Sequence, residues 1–164
     1  MSLTDVIEET RTAVAGNPSN AEVSFSVSHT LAPGTATVVD VHVRDHSFTV
    51  DEPAGLGGTD TAANPVEYAL AALGSCQVIT YQFWAAKLGI PLESVRVNVH
   101  GDLDLHGFFG FSGTRPGFTG VRVTVDLGGP ASAEQYDELK RQVDEHCPVL
   151  DLFRNPTPTT TSLA

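Results

Sequence analysis

The residues of this 164-residue chain best suited to chemistry are its two cysteines. Cys76 closes "ALAALGSC" (69–76), an apolar, helix-like run, and Cys147 stands far downstream in "DEHCPVLDLF" (144–153), between His146 and Pro148. Three readings are open: inert core residues, a structural disulfide or a reactive pair. A cysteine in an apolar helix packs as a small hydrophobe. A permanent disulfide belongs to an oxidising compartment, and nothing here points to one. The N-terminus lacks the basic-then-apolar order of a secretory signal, and no run of about 18 apolar residues could span a membrane. The expected address is the cytoplasm, with no membrane partner; thiols stay reduced there, so pairing would be redox chemistry.

Other chemistries find less support. Neither cysteine has a second Cys or His at metal-finger spacing, and the six histidines are scattered. His42 and His46 are four apart, but in a strand reading they flank a turn and share no helical face. The "GLGG" stretch (55–58) lacks the Gly-Lys-Ser/Thr ending of a phosphate loop and the strand–helix context of a dinucleotide site, and reads as a flexible connection. No serine lies in a nucleophile-elbow pattern. The net charge of −11 repels a phosphate backbone, so nucleic acid is excluded as a partner. The aromatic–glycine stretch "HGFFGFSGTRPGF" (106–118) carries a single Arg and does not change that.

The elements that must position the thiols follow from periodicity. Residues 2–15 predict a short surface helix stopped by "GNPSN" (16–20). "EVSFSV" (22–27) and "TATVVDVHVRD" (35–45) alternate with period two, the latter placing Val39, Val41 and Val43 on one face and Asp40, His42 and Arg44 on the other. "HSFTVDE" (46–52) predicts a third strand, followed by an irregular, mobile loop over 53–63. From Asn64 to Leu88 the spacing predicts a helix with Asn64 as N-cap, Pro65 at the first position, and Gly89 and Pro91 as the stop. That helix is apolar nearly all round, which predicts burial on several sides. Two more alternating runs, 93–105 and 118–128, flank the aromatic–glycine stretch, which reads as a long hairpin loop that packs on a neighbour or walls a pocket; Gly101 is a candidate bulge. Residues 132–147 predict an amphipathic helix with Ser132 and Gln135 as a capping box and Tyr136, Leu139 and Val143 as its apolar face. "TPTTTSL" (157–163) is a candidate edge strand. The order is α+β in one domain over 1–164, with residues 1–20 as a helical extension. A helix apolar on every side is hard to cover in a small monomer, so a homodimer that buries it between two sheets is expected.

"NPVEYALAALGSC" (64–76), the preceding "DEPAGLGGTDTAA" and the terminal "HCPVLDLFRNPTPTTTSL" together resemble the OsmC and organic hydroperoxide resistance family. The resemblance runs from about residue 35 to the end and includes both cysteines; the N-terminal helix lies outside it. It implies antiparallel sheets packed around a long buried central helix, in an intertwined homodimer with active sites at the interface. It also implies thiol chemistry without a bound cofactor. Cys76 would attack an organic hydroperoxide and become a sulfenic acid, Cys147 would condense with it to a disulfide, and an external dithiol would reduce the pair. The first thiol must be nucleophilic; the second must capture the oxidised sulfur before it is over-oxidised.

Efficient peroxidases of that family use an Arg, paired with a Glu on the cysteine's helix, to favour the thiolate. The need is physical, because Cys76 lies about three turns into its helix, beyond the reach of the N-terminal dipole. Arg44, on its strand's polar face, and Arg11 are the candidates, Arg44 being preferred because it belongs to the sheet region. Glu67 is the candidate acid. At about 100° per residue it falls on the side of the helix opposite Cys76, whereas the nearer position, where the family's Glu stands, is Val66. Glu67 also suits a capping role, three residues after Asn64. Cys147 has two readings as well: it ends the amphipathic helix, where a thiolate is disfavoured, or it caps a new helix opened by Pro148, where a thiolate is favoured. The rival functions are a non-catalytic dimer binding an apolar small molecule, and a thiol protein acting on another oxidised sulfur substrate. A cation beside Cys76, with Cys147 close enough to bridge, separates the peroxidase from the binding protein.

Overall fold

The computed structural model describes residues 1–163. Among them five strands form two antiparallel sheets, accompanied by five α-helices, α1 to α5, in an α+β arrangement. The chain divides into two compact units, one of residues 9–69 and one of residues 1–8 with 70–164.

The first unit holds a three-stranded sheet of β1 (Ser28–Leu31), β2 (Val39–Val43) and β3 (His46–Val50), with β2 in the centre. Val39 faces Val50 and Val41 faces Phe48 in register, and Val41 and Val50 are buried, as the period-two pattern requires. Arg44 corrects its expectation. It lies beyond the end of β2, in the two-residue turn to β3, exposed and with a left-handed φ of 54°. The strand stops at Val43 because the chain must reverse there. Residues 22–27 also differ: they join no ladder, and Phe25 is 90 % exposed. A strand needs an edge to pair with, and the β2 edge available to this segment is taken by Ser28–Leu31.

The segment after β3, expected as a loose loop, is organised by one carboxylate. Asp51 is fully buried, and it accepts hydrogen bonds from the hydroxyls of Thr37 (2.6 Å), Thr59 (2.7 Å) and Thr61 (3.0 Å). It also accepts from the backbone N–H groups of Glu52 (2.8 Å), Thr59 (3.0 Å) and Thr61 (3.1 Å). These donors, Thr37 first and then Thr59, hold its carboxyl well below the usual carboxylate range against the opposing effect of burial. The "GLGG" stretch is part of this folded loop: a Cβ on Gly58 would fall inside the Glu52 carbonyl, so only glycine closes it.

Helix α2 (Pro65–Leu88) starts in this unit and continues into the other. Its start is capped as the residues predict: the Asn64 side chain accepts from the Glu67 N–H (2.9 Å), and the Glu67 carboxylate accepts from the Asn64 N–H (2.8 Å). The Tyr68 hydroxyl donates to the Thr49 carbonyl (2.9 Å), and its ring meets Phe48, fixing the first turn on β3.

In the second unit β4 (Ser94–Leu103) and β5 (Phe118–Gly128) form an antiparallel pair. Gly101 is glycine because the Phe118 ring lies over it, 2.6 Å from where a Cβ would stand; the ladder's irregularity falls at Asp102/Leu103 instead. The connection between the strands is not a plain hairpin loop. Asp104 caps a short helix, α3 (Leu105–Phe109), after which Phe109 and Phe111 stack at 5.2 Å. Helix α4 (Ala133–His146) has the expected Ser132/Gln135 capping box and buries Leu139 and Val143. Pro148 opens a separate helix, α5 (Pro148–Arg154). Leu73, Tyr81 and Ala85 of α2 join Leu139, Val143, Cys147 and Leu150 in one buried cluster. Within a single chain part of α2 stays open, Ile79 on it being 57 % exposed. Residues 156–163 form no strand, with Pro156 and Pro158 lacking the N–H donors of a ladder.

The N-terminal helix α1 (Leu3–Gly16) carries no buried residue, as expected of a surface helix. Ser2 and Asp5 bond each other's backbone N–H groups at its start (3.2 and 2.7 Å). None of the described helices is long and apolar enough to cross a membrane.

Candidate functional site

The fold brings the two sulfurs together. Cys76 projects from the middle of α2, and Cys147 occupies the joint between α4 and α5, with 3.4 Å between Sγ atoms. Both are free thiols, Cys76 half-buried and Cys147 buried. A disulfide needs about 2.05 Å between sulfurs, so a shift of little more than an ångström would bond them. The joint has a local cause. The Cys147 N–H still donates to the Val143 carbonyl (2.9 Å), closing the last turn of α4, while its carbonyl accepts from the Asp151 N–H (3.0 Å), opening the first turn of α5. Pro148, with no N–H to place, fits the first position of the new helix. Both readings of Cys147 therefore hold at once: it caps the end of one helix and the start of the next.

The surroundings of Cys76 decide its acidity. Burial, the largest influence, pushes its thiol up. The backbone N–H of Val149, one of the donors that the first turn of α5 leaves without an intrahelical partner, pulls it down. The Cys147 thiol pushes it up again, as hydrogen-bond partner and as a second potential negative charge, and Thr80 draws it down slightly. The balance lies above the ordinary value, and none of these influences is a cation. Thr80 also fixes the helix locally: its hydroxyl donates to the Cys76 carbonyl at 2.7 Å and lies 3.9 Å from the Cys76 sulfur.

The remaining candidates belong to the 9–69 unit. Arg44 is at the exposed β2–β3 turn, Arg11 is on α1, and Glu67 is bonded to the Asn64 N–H at the start of α2. Val66, beside Glu67, is 37 % exposed. Of Glu67's two expected roles, the cap is the one its hydrogen bonds form.

Three polar groups on α2 were not singled out from the sequence. Besides Thr80, Gln77 and Tyr81 are buried, and Gln77 Nε2 and the Tyr81 hydroxyl have no hydrogen-bond partner. Burial first, then the charges of Asp144 and Cys147, push the Tyr81 hydroxyl up to about 12, so it stays a neutral donor in the thiol's neighbourhood. The available signal was polar residues recurring four apart, Cys76–Thr80 and Gln77–Tyr81, on an otherwise apolar helix. His146, next to Cys147, has Nδ1 2.8 Å from the Gln142 carbonyl and its ring on Trp84, 4.4 Å between centroids.

An α+β fold that holds two free thiols in contact, one on a central helix and one at a helix joint, defines a dithiol protein. Comparison with known proteins narrows the class. The model of the OsmC-like protein family matches residues 58–162, and the chain belongs to that family. Among solved structures, an OsmC-like protein from Mycoplasma pneumoniae has 17 % identity and a TM-score of 0.70, the match covering 81 % of this chain and 89 % of that one. An organic hydroperoxide resistance protein OsmC from Legionella pneumophila has 20 % identity and a TM-score of 0.62, with 81 % and 92 % covered. An organic hydroperoxide resistance protein from Elizabethkingia anophelis, with crystallant-derived thiocyanate bound, has 20 % identity and a TM-score of 0.62, with 81 % and 89 % covered. No curated protein matches the sequence. At these identities the structural likeness establishes the fold.

Proposed function

We propose that the protein is a thiol-dependent peroxidase that reduces organic hydroperoxides in the cytoplasm, with Cys76 as the attacking and Cys147 as the resolving thiol. The observation that carries this reading is the 3.4 Å between two reduced sulfurs from distant parts of the chain. The Cys76 thiolate attacks the terminal peroxide oxygen; the O–O bond breaks, the alcohol leaves with a proton, and the sulfur becomes a sulfenic acid. Cys147 attacks that sulfur, forming the disulfide and releasing water. An external dithiol then reduces the disulfide by exchange, becoming a disulfide itself, so the sum is hydroperoxide plus dithiol to alcohol, water and oxidised dithiol. No cofactor enters. The Val149 N–H beside the sulfur supports a developing thiolate, while burial opposes it. Arg44 and Glu67 remain candidate helpers in this reading.

A second reading has the same pair reduce another oxidised sulfur substrate, and it rests on the same contact between the two thiols. A non-catalytic dimer that binds an apolar small molecule is the third. A homodimer supports each of them: Ile79 on α2 and Phe25 ahead of β1 leave apolar surface that a second copy would cover. Cumene hydroperoxide consumption with a dithiol reductant, in wild type, Cys76→Ser and Cys147→Ser, tests the proposal. Equal rates in all three would end it, and sedimentation at matched concentrations tests the dimer.

A further inference from the structure

A second feature of the 70–164 unit lies apart from the thiols. Helix α2, strand β5 with the residues just before it, and helices α4 and α5 border an open cavity of about 570 Å³, within the range of about 300–1,000 Å³ typical of small-molecule sites. Neither Cys76 nor Cys147 lines it. Its apolar body comes from Leu73, Val123, Val125, Leu150 and Phe153.

Its charges run against the rest of the molecule. Three of the chain's nine Lys and Arg residues, Arg115, Lys140 and Arg154, line this cavity, against one of its twenty acids, Asp144. The local balance is therefore positive in a chain of net charge −11. Asp144 does not satisfy the cations fully. It takes a short bond from Lys140 (2.7 Å), whereas the nearer Arg154 nitrogen to its carboxylate is 3.8 Å away, the other Arg154 nitrogen bonding the Asp144 carbonyl. Arg115 spends one nitrogen on the Phe118 carbonyl. All three heads are largely exposed, so they stand where a ligand would enter.

Inside, Gln77 lines the same cavity at 1 % exposure, and its Nε2 has no partner. The lining therefore suits an occupant with a negative charge and an apolar body. A carboxylate supplies the charge that Lys140 and Arg154 would hold.

We propose that this cavity binds a medium-chain monocarboxylate, its chain among the valines, leucines and Phe153 and its carboxylate held by Lys140 and Arg154. The site is independent of the thiol reaction and does not require it.

Calorimetric titration of the purified full chain with dodecanoate, dodecanol and dodecyltrimethylammonium, each below its micelle concentration, tests this. Dodecanoate is expected to saturate at one per chain, with dodecanol about tenfold weaker, as loss of a charge-assisted contact implies, and the ammonium weaker still. Lys140→Ala with Arg154→Ala should weaken dodecanoate about tenfold and leave dodecanol unchanged. Val123→Phe, which fills the cavity, should weaken both, and its thermal unfolding shows whether it is folded. Cys76→Ser with Cys147→Ser should bind as wild type does. Absence of saturable dodecanoate binding overturns the proposal, as it would if a second copy's side chains fill the cavity. So does equal binding of the ammonium, unchanged affinity in the double alanine variant, or loss of binding in the double serine variant.

Discussion

The Cys147 sulfur lies 3.4 Å from the Cys76 sulfur, with the Val149 N–H turned toward the latter from the helix that Cys147 caps. Cys147 thus does two things by standing at one joint. It supplies the partner thiol, and it starts the short helix whose first turn meets Cys76. Oxidation to a disulfide needs the two sulfurs to close by little more than an ångström.

Removing the thiols separately distinguishes their roles. Cys76→Ser is expected to reduce hydroperoxide consumption to background. Cys147→Ser should still react once, leaving a sulfenic acid that dimedone traps, and then turn over slowly. In wild type, one equivalent of hydroperoxide should give the intramolecular disulfide, read as loss of two hydrogens by mass spectrometry. A sulfenic acid trapped in Cys76→Ser and none in Cys147→Ser would reverse the assignment.

The pH dependence of Cys76 follows from its environment. Burial favours the neutral thiol, so its folded value lies above the ordinary one, and the thiolate fraction rises only in the alkaline range. Alkylation by iodoacetamide in the Cys147→Ser background should therefore accelerate with pH throughout the range up to the ordinary thiol value. The linkage has the matching sign: what burial of the neutral thiol contributes to stability is present below the unfolded value and is lost as pH rises through the folded one. A rate already flat at neutral pH would mean that an activating group holds the thiolate.

Asp51→Asn should destabilise the loop that follows β3. An amide offers one oxygen where the carboxylate offers two, and its NH₂ would face the N–H and hydroxyl donors of Thr59 and Thr61. Because the Asp51 carboxyl is held low, its stabilisation is present above the usual carboxylate range and is lost as pH falls toward its folded value. Thermal melts at pH 7 and in acid should show a lower midpoint for the variant at pH 7 and a smaller difference in acid. A variant that melts with wild type at pH 7 would remove Asp51 from the loop's support.

Gln77→Leu tests the orphan amide by its stability. Replacing a buried unpaired donor with a side chain of similar shape should stabilise the empty protein by about 1 kcal/mol, raising the melting midpoint by a few degrees. A lower midpoint would show that the amide is satisfied in solution.

The residues alone determined those parts of the protein whose causes are local. Asn64, Glu67 and Pro65 specify the start of α2, Ser132 and Gln135 specify the start of α4, and alternation specifies β2, β4 and β5, because caps and periodicity act over a few residues. Local rules failed where pairing or chain reversal decided the outcome. Residues 22–27 and 157–163 alternate or have strand composition but lie on no ladder, and Arg44 fell into a turn one residue past its strand. Only the tertiary structure decided that Cys76 and Cys147 touch, since nothing in either local run specifies the packing of α2 against the α4–α5 joint. It alone also decided that Asp51 gathers three threonines, and that Gln77 meets Lys140 and Arg154 around one cavity. Such groupings depend on how distant segments pack, which the spacing of residues along the chain does not encode.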